Sequence, residues 1–192
     1  MRYPTLHQDW IIIGDADDRG VDSHVRGHGT CVASKAVGSI NGVSKNSRLI
    51  PVKITYRLAA IQEALIKISN DIRRRRIEGR AVVVCSLGSK RQASRPIPRP
   101  YMVMVEQLKD LSITQKTAVV FSAGNKGQIP VNSYPAYLAE TYPETMIVAG
   151  ATTKRGFRTS FSQALEPSPG RFPSTVWAIG DGVACASRAS RN

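Results

Sequence analysis

The chain has 192 residues and a mass of 20.9 kDa, room for one hydrophobic core on the usual domain scale of about 100–200 residues. Hydrophobic residues make up 42% and charged residues 21%, which excludes collagen-like, low-complexity and wholly disordered classes. No apolar run approaches the roughly 18 residues of a membrane span. The start also lacks a basic stretch followed by an apolar run of about 7–15 residues, so no secretory signal is visible and the cytoplasm is the default expectation. Basic residues outnumber acidic ones 27 to 14, giving +13 and a pI near 10.2. Such an excess attracts nucleic acid or anionic membrane non-specifically. The basic residues are spread along the chain, apart from Arg73 to Arg76 and the scattered Lys90, Arg91, Arg95 and Arg99. No aromatic residue interleaves with the arginine run, so a stacking platform for single strands has no support. Neither a specific nucleic acid nor a membrane is expected as partner.

In chain order, Trp10 to Ile13 is a short apolar run, and Cys31 to Val37 is compatible with a helix. Leu49 to Ile54 is short, apolar and β-branched and predicts a strand. Leu58 to Arg76 follows with apolar residues at Leu58, Ile61, Leu65, Ile68 and Ile72, the period of an amphipathic helix. Ala81 to Leu87 is apolar without alternation, as expected of a parallel strand covered on both faces. Tyr101 to Ile113, entered after Pro100, has helical spacing at Met104, Leu108 and Leu111; Ala118 to Ala123 and Met146 to Ala151 repeat the buried-strand pattern. Gly88 to Pro100 and Leu165 to Ser174 read as surface loops. Alternating strands and helices imply an α/β fold, a parallel sheet flanked by helices on both faces. No repeat, linker or second-domain boundary is visible, so residues 1–192 are expected to be a single partial domain, truncated at both ends.

Functional groups of an open parallel sheet gather at the carboxyl ends of its strands. Ala118 to Ala123 runs into Gly124-Asn125, Ala81 to Cys85 runs into Ser86-Leu87-Gly88, and upstream Gly27-His28-Gly29-Thr30 sets an imidazole between two glycines. Each has a bland reading alone, as a turn residue or a loop histidine. The cysteines Cys31, Cys85 and Cys185 are odd in number and widely spaced, which suits neither a disulfide framework nor a paired zinc site.

Taken together and in order, these segments resemble the subtilisin-like serine proteases. Gly27 to Ala33 is similar to the family's catalytic-histidine motif G-H-G-T-H-V-A-G, Val83 to Gly88 to its strand ending in S-L-G, and Val119 to Asn125 to the segment ending in the oxyanion-hole asparagine. Tyr134-Pro135-Ala136, Met146 to Thr152 and Ser160-Phe161-Ser162 match the further run of Y-P-A, V-G-A and F-S, and Val176 to Ala186 resembles V-Y-A-P-G. The resemblance covers roughly residues 20 to 187. It implies peptide-bond hydrolysis with His28 as general base, Asn125 as oxyanion donor, and Ser86, Leu87 and Gly88 pairing with an extended polypeptide substrate. It implies no redox cofactor; structural calcium is frequent in the family, and no metal site is placed here.

The match departs from the family at several points. The template aspartate falls about 32 residues before the histidine, upstream of Met1. Asp15, thirteen positions before His28, is the nearest imitation; with Asp17, Asp18 and Asp22 it otherwise reads as a solvated acidic loop. No G-T-S-x-A string accompanies Ser187 or Ser190. Cys31 stands where the motif has histidine; three residues after His28 on one helix, it reads as a buried free thiol rather than a nucleophile. Little or no proteolysis by the chain alone is expected. The alternatives are a non-catalytic relative that binds extended peptides and a basic nucleic-acid-binding protein.

Overall fold

The computed structural model describes residues 10–14, 22–24, 27–55, 57–90, 98–127, 130–165 and 175–187. The chain divides into two compact units, Met1–Thr55 with Val183–Asn192, and Tyr56–Gly182.

In the first unit, β1 (Ile11–Ile12) pairs in parallel with β2 (Val52–Lys53), and α1 spans His28–Val37. The helix begins three residues before the expected Cys31, because Gly27 at its N-cap adopts a left-handed φ of 62° that turns the chain into the first turn. No acidic residue lies in that first turn. Asp22 supplies the missing cap from upstream: its carboxylate accepts the Thr30 N–H at 2.7 Å and the Thr30 hydroxyl at 2.8 Å. Carboxylate charge at a helix N-terminus is stabilised by the macrodipole. Asp22 is therefore a capping group, not part of a solvated loop. The other loop aspartates, Asp15, Asp17 and Asp18, lie outside the described residues.

Two readings of the cysteines are corrected. Cys31 and Cys185 form a disulfide across a sequence separation of 154, so Cys31 is not a free thiol and wide spacing does not keep the pair apart. Ala186 N–H also donates to the Ser34 hydroxyl at 2.9 Å, which in turn donates to Cys31 O at 2.8 Å. One covalent bond and one hydrogen bond thus hold residues 185–186 to α1. Spacing in sequence carries no information about a partner that tertiary folding delivers from the far end of the chain.

The second unit is built on four parallel strands in the order β3 (Val82–Cys85), β5 (Ala118–Ser122), β7 (Ile147–Thr152) and β8 (Thr175–Ile179). Val119, Phe121 and Val148 are buried on one sheet face. The core continues into α2 (Leu58–Arg75) through Ile61, Leu65 and Ile72, and into α3 (Arg99–Lys109) through Met104, Val105 and Leu108. On the opposite face Val82 is 66% and Val84 53% exposed. The α/β parallel architecture holds, but uniform apolarity in β3 does not translate into burial of both its faces. Hydrophobic sequence reports what a strand tolerates, and burial depends on which layer is present to cover it.

The helix α3 ends four residues short of the expected Ile113. The chain widens into a π turn over Asp110–Thr114, closed by Gln115 N–H donating to Asp110 O at 2.9 Å. There the Asp110 carboxylate accepts from Ser69 Oγ and Gln115 Nε2, both at 2.8 Å, and pairs with Arg73. The arginine run at the end of α2 is thereby largely committed: Arg73 to Asp110, Arg74 and Arg75 to Asp71. A short antiparallel pair, β4 (Ser89–Lys90) with β6 (Ser133–Tyr134), follows the end of β3.

Candidate active site

Four of the five proposed site residues lie in the second unit and come from two neighbouring strands. β3 and β5 pair in parallel with Cys85 opposite Phe121, so the chain leaves both carboxyl ends side by side. From β3 it continues as Ser86 and Leu87, half-buried, and Gly88, exposed. From β5 it passes through Ala123, whose N–H donates to Ala149 O at 2.8 Å, to Gly124 and Asn125. Gly124 has φ 105°, a conformation that essentially excludes side chains, and an added Cβ would sit 2.3 Å from Gln163 Oε1. This turn lifts Asn125 off the strand end, where its side chain is exposed. The sheet therefore brings Asn125 and the Ser86–Gly88 segment to the same edge, the place where ligands meet open parallel sheets.

Ser86–Gly88 is held from its other side. Gly88 packs so closely that an added Cβ would lie 3.1 Å from Tyr134 O and 3.2 Å from Ser133 Oγ. Tyr134 is buried, stacked on Tyr101 at 3.7 Å and edge-on to Tyr137 at 5.6 Å. The Y-P-A segment flagged in the sequence is thus the wall behind the S-L-G segment, with a cis peptide between Tyr134 and Pro135.

His28 belongs to the first unit. It is the first residue of α1 and its side chain is exposed. Gly29 leaves room for the cap, since an added Cβ would lie 3.3 Å from Asp22 Oδ2. The capping carboxylate also accepts the His24 N–H at 3.0 Å, and the His24 ring lies 5.7 Å from the His28 ring, tilted by 54°. Partial burial acts to raise the Asp22 carboxyl, but hydrogen bonds from Thr30 and His24 outweigh it and hold it below the ordinary range. The cap of α1 therefore stays ionised at neutral pH. Sequence reading missed Asp22 and His24 as neighbours of the histidine motif; the Asp-x-His spacing ahead of G-H-G was their only trace.

Neither cysteine position offers a nucleophile. Cys31 is bridged, and burial pushes the Cys85 thiol up to about 12 despite a hydrogen bond from the Leu87 backbone acting the other way. Asp15 and Ser190 lie outside the described residues, and Ser187 is exposed just beyond the disulfide. Among the described residues no group of three or more His, Cys, Asp or Glu is placed to hold a metal.

The architecture around these strand ends is that of known subtilisin-like proteases. The prenylagaramide maturation protease PagA superposes with a TM-score of 0.63 at 18% identity, over 93% of this chain and 64% of its own. MycP1 with its N-terminal propeptide removed gives 0.66 at 16% identity, over 93% and 65%. In sequence, alkaline protease 1 of Aspergillus clavatus is 31% identical over 140 residues, 71% of this chain. The chain spans about a third of that relative, 31% of its length. The profile of the subtilase family matches residues 4–191, and the chain belongs to that family.

Proposed function

We propose that this chain acts in serine-type peptide-bond hydrolysis on polypeptides bound in extended form. His28 is the general base, taking the proton of an attacking serine hydroxyl and returning it to the leaving amine. Asn125 donates its side-chain amide to the oxyanion, a contact whose loss in subtilisin, the general case for this effect, lowers turnover about 10²–10³-fold. Ser86, Leu87 and Gly88 offer backbone groups that pair with the substrate as an added strand. The observation that carries it is the shared strand edge: Asn125 exposed beyond β5, beside the Ser86–Gly88 segment that leaves β3, in a chain matched to the subtilase family over residues 4–191.

A second reading is binding of extended peptides without turnover, which needs only the Ser86–Gly88 segment beside Asn125 at the shared strand edge. One experiment separates the readings. Extended peptides are titrated against the isotope-labelled chain, and a fluorophosphonate probe tests for an activated serine. Shifts confined to Ser86, Leu87, Gly88 and the Asn125 side chain, without labelling, support peptide binding without turnover by these residues. Labelling would establish a working nucleophile within these residues, and shifts elsewhere would remove the proposed site. The Cys31–Cys185 bridge favours an oxidising compartment over the cytoplasm, since such bonds persist where thiols are not kept reduced.

A further inference from the structure

Behind the Gly124–Asn125 turn lies a fully buried carboxamide that the hydrolytic mechanism does not use. Gln163 is 2% exposed. Its backbone N–H donates to Gly124 O at 3.1 Å, and its Oε1 occupies the space that a Cβ at Gly124 would need. Its Nε2 reaches past the turn to Asn132 Oδ1 at 3.1 Å and Pro130 O at 3.3 Å. Asn132 leads directly into Ser133–Tyr134, the strand against which Gly88 packs. One side chain therefore touches the turn that carries Asn125 and the loop that backs the Ser86–Gly88 segment.

We infer that Gln163 is a positioning residue, which fixes the Asn125 turn and couples it to the wall of the Ser86–Gly88 segment through Asn132. The inference rests on the roles proposed above for Asn125 and for Ser86–Gly88. Neighbouring main-chain bonds give Gln163 a rigid base. Gly127 N–H donates to Phe161 O at 2.7 Å and Val131 N–H to Ala164 O at 2.9 Å, so main-chain bonds two residues before Gln163 and one residue after it tie it to Gly127 and Val131. Ser162 adds an anchor to the sheet: its hydroxyl accepts the Ala151 N–H at 2.9 Å and donates to Gln163 O at 3.0 Å. A residue needed only to fill volume would be aliphatic here. A buried amide is tolerated because its donors and its backbone are matched, and the same matching fixes its direction.

The test reads the Asn125 side-chain amide directly. Its cross-peak in the labelled 192-residue chain is identified by its disappearance in Asn125→Asp. In Gln163→Met, which keeps length and loses both hydrogen bonds, that peak is expected to leave its native position and the Ser86–Gly88 amides to shift with it. Asn132→Leu, which removes the acceptor while leaving Gln163 in place, should move the same peaks, and Asn132→Asp, which keeps an Oδ1 acceptor, should restore them. Should Gln163→Met fail to fold, the Asn132 pair carries the test alone. An Asn125 peak unmoved in Gln163→Met and Asn132→Leu, with only the melting temperature lowered, overturns the inference and leaves the proposed function standing. Conversely, if peptides shift nothing at Ser86–Gly88 in the unmutated chain, the proposed function fails, while the response of Asn125 to Gln163 is still decided by the variants.

Discussion

Removing the disulfide tests the first unit most directly. Cys31 and Cys185 are separated by 154 positions, and closing a loop of that size lowers the entropy of the unfolded chain by the equivalent of about 5 kcal/mol at 25 °C in the chain-entropy treatment. Closure entropy grows only with the logarithm of loop length, so residual structure that halves the effective loop removes about 0.6 kcal/mol. The perturbation is Cys31→Ser with Cys185→Ser, which leaves Cys85 as the one cysteine. With urea slopes of about 1–3 kcal/mol/M, the loss lowers the unfolding midpoint by about 2 M or more. Circular dichroism follows the transition in the oxidised chain, the double variant and the chain treated with dithiothreitol, with mass spectrometry of linked peptides confirming the bond in the first. The double variant and the reduced chain should unfold together, well before the oxidised one. Coincident midpoints for all three, with the bond verified, would refute the reasoning.

Further outcomes follow from the same geometry. The native oxidised chain should resist alkylation by iodoacetamide, because burial holds the Cys85 thiol protonated with a pKa of about 12; rapid labelling of Cys85 at pH 8 contradicts this. Asp22→Ala should lower stability by about 1 kcal/mol at pH 7 through loss of the α1 cap. Asp22 and Asp71 are both held below the usual 3.8 by hydrogen bonds that outweigh burial. Their contribution is therefore present above pH 3.8 and lost as pH falls through their lower folded values. The Asp22→Ala and parent melting curves should accordingly converge at the acid end, and a gap that persists undiminished at pH 2 counts against the cap. Gly124→Ala should destabilise by at least about 1–3 kcal/mol, given φ 105° and a Cβ 2.3 Å from Gln163 Oε1. Thermal melting reads it, and an unchanged midpoint would show that the turn relaxes freely.

Much of the second unit was legible from local pattern. The helix over Leu58–Arg75, the strands Val82–Cys85, Ala118–Ser122 and Ile147–Thr152, and the placing of Asn125 and Ser86–Gly88 at strand ends all follow from periodicity and from the resemblance of short motifs. Those features depend on residues within a few positions of one another, which a linear string records faithfully. What tertiary folding decided is of another kind. The Cys31–Cys185 bond, the reach of Asp22 across eight residues to Thr30, the exposure of Val82 and Val84, and the insertion of Gln163 behind Gly124 each join groups that are distant in the chain or depend on which layer covers a surface. Composition and spacing leave such pairings undetermined because their free energy exists only once the backbone has brought the partners within hydrogen-bonding, covalent or van der Waals reach.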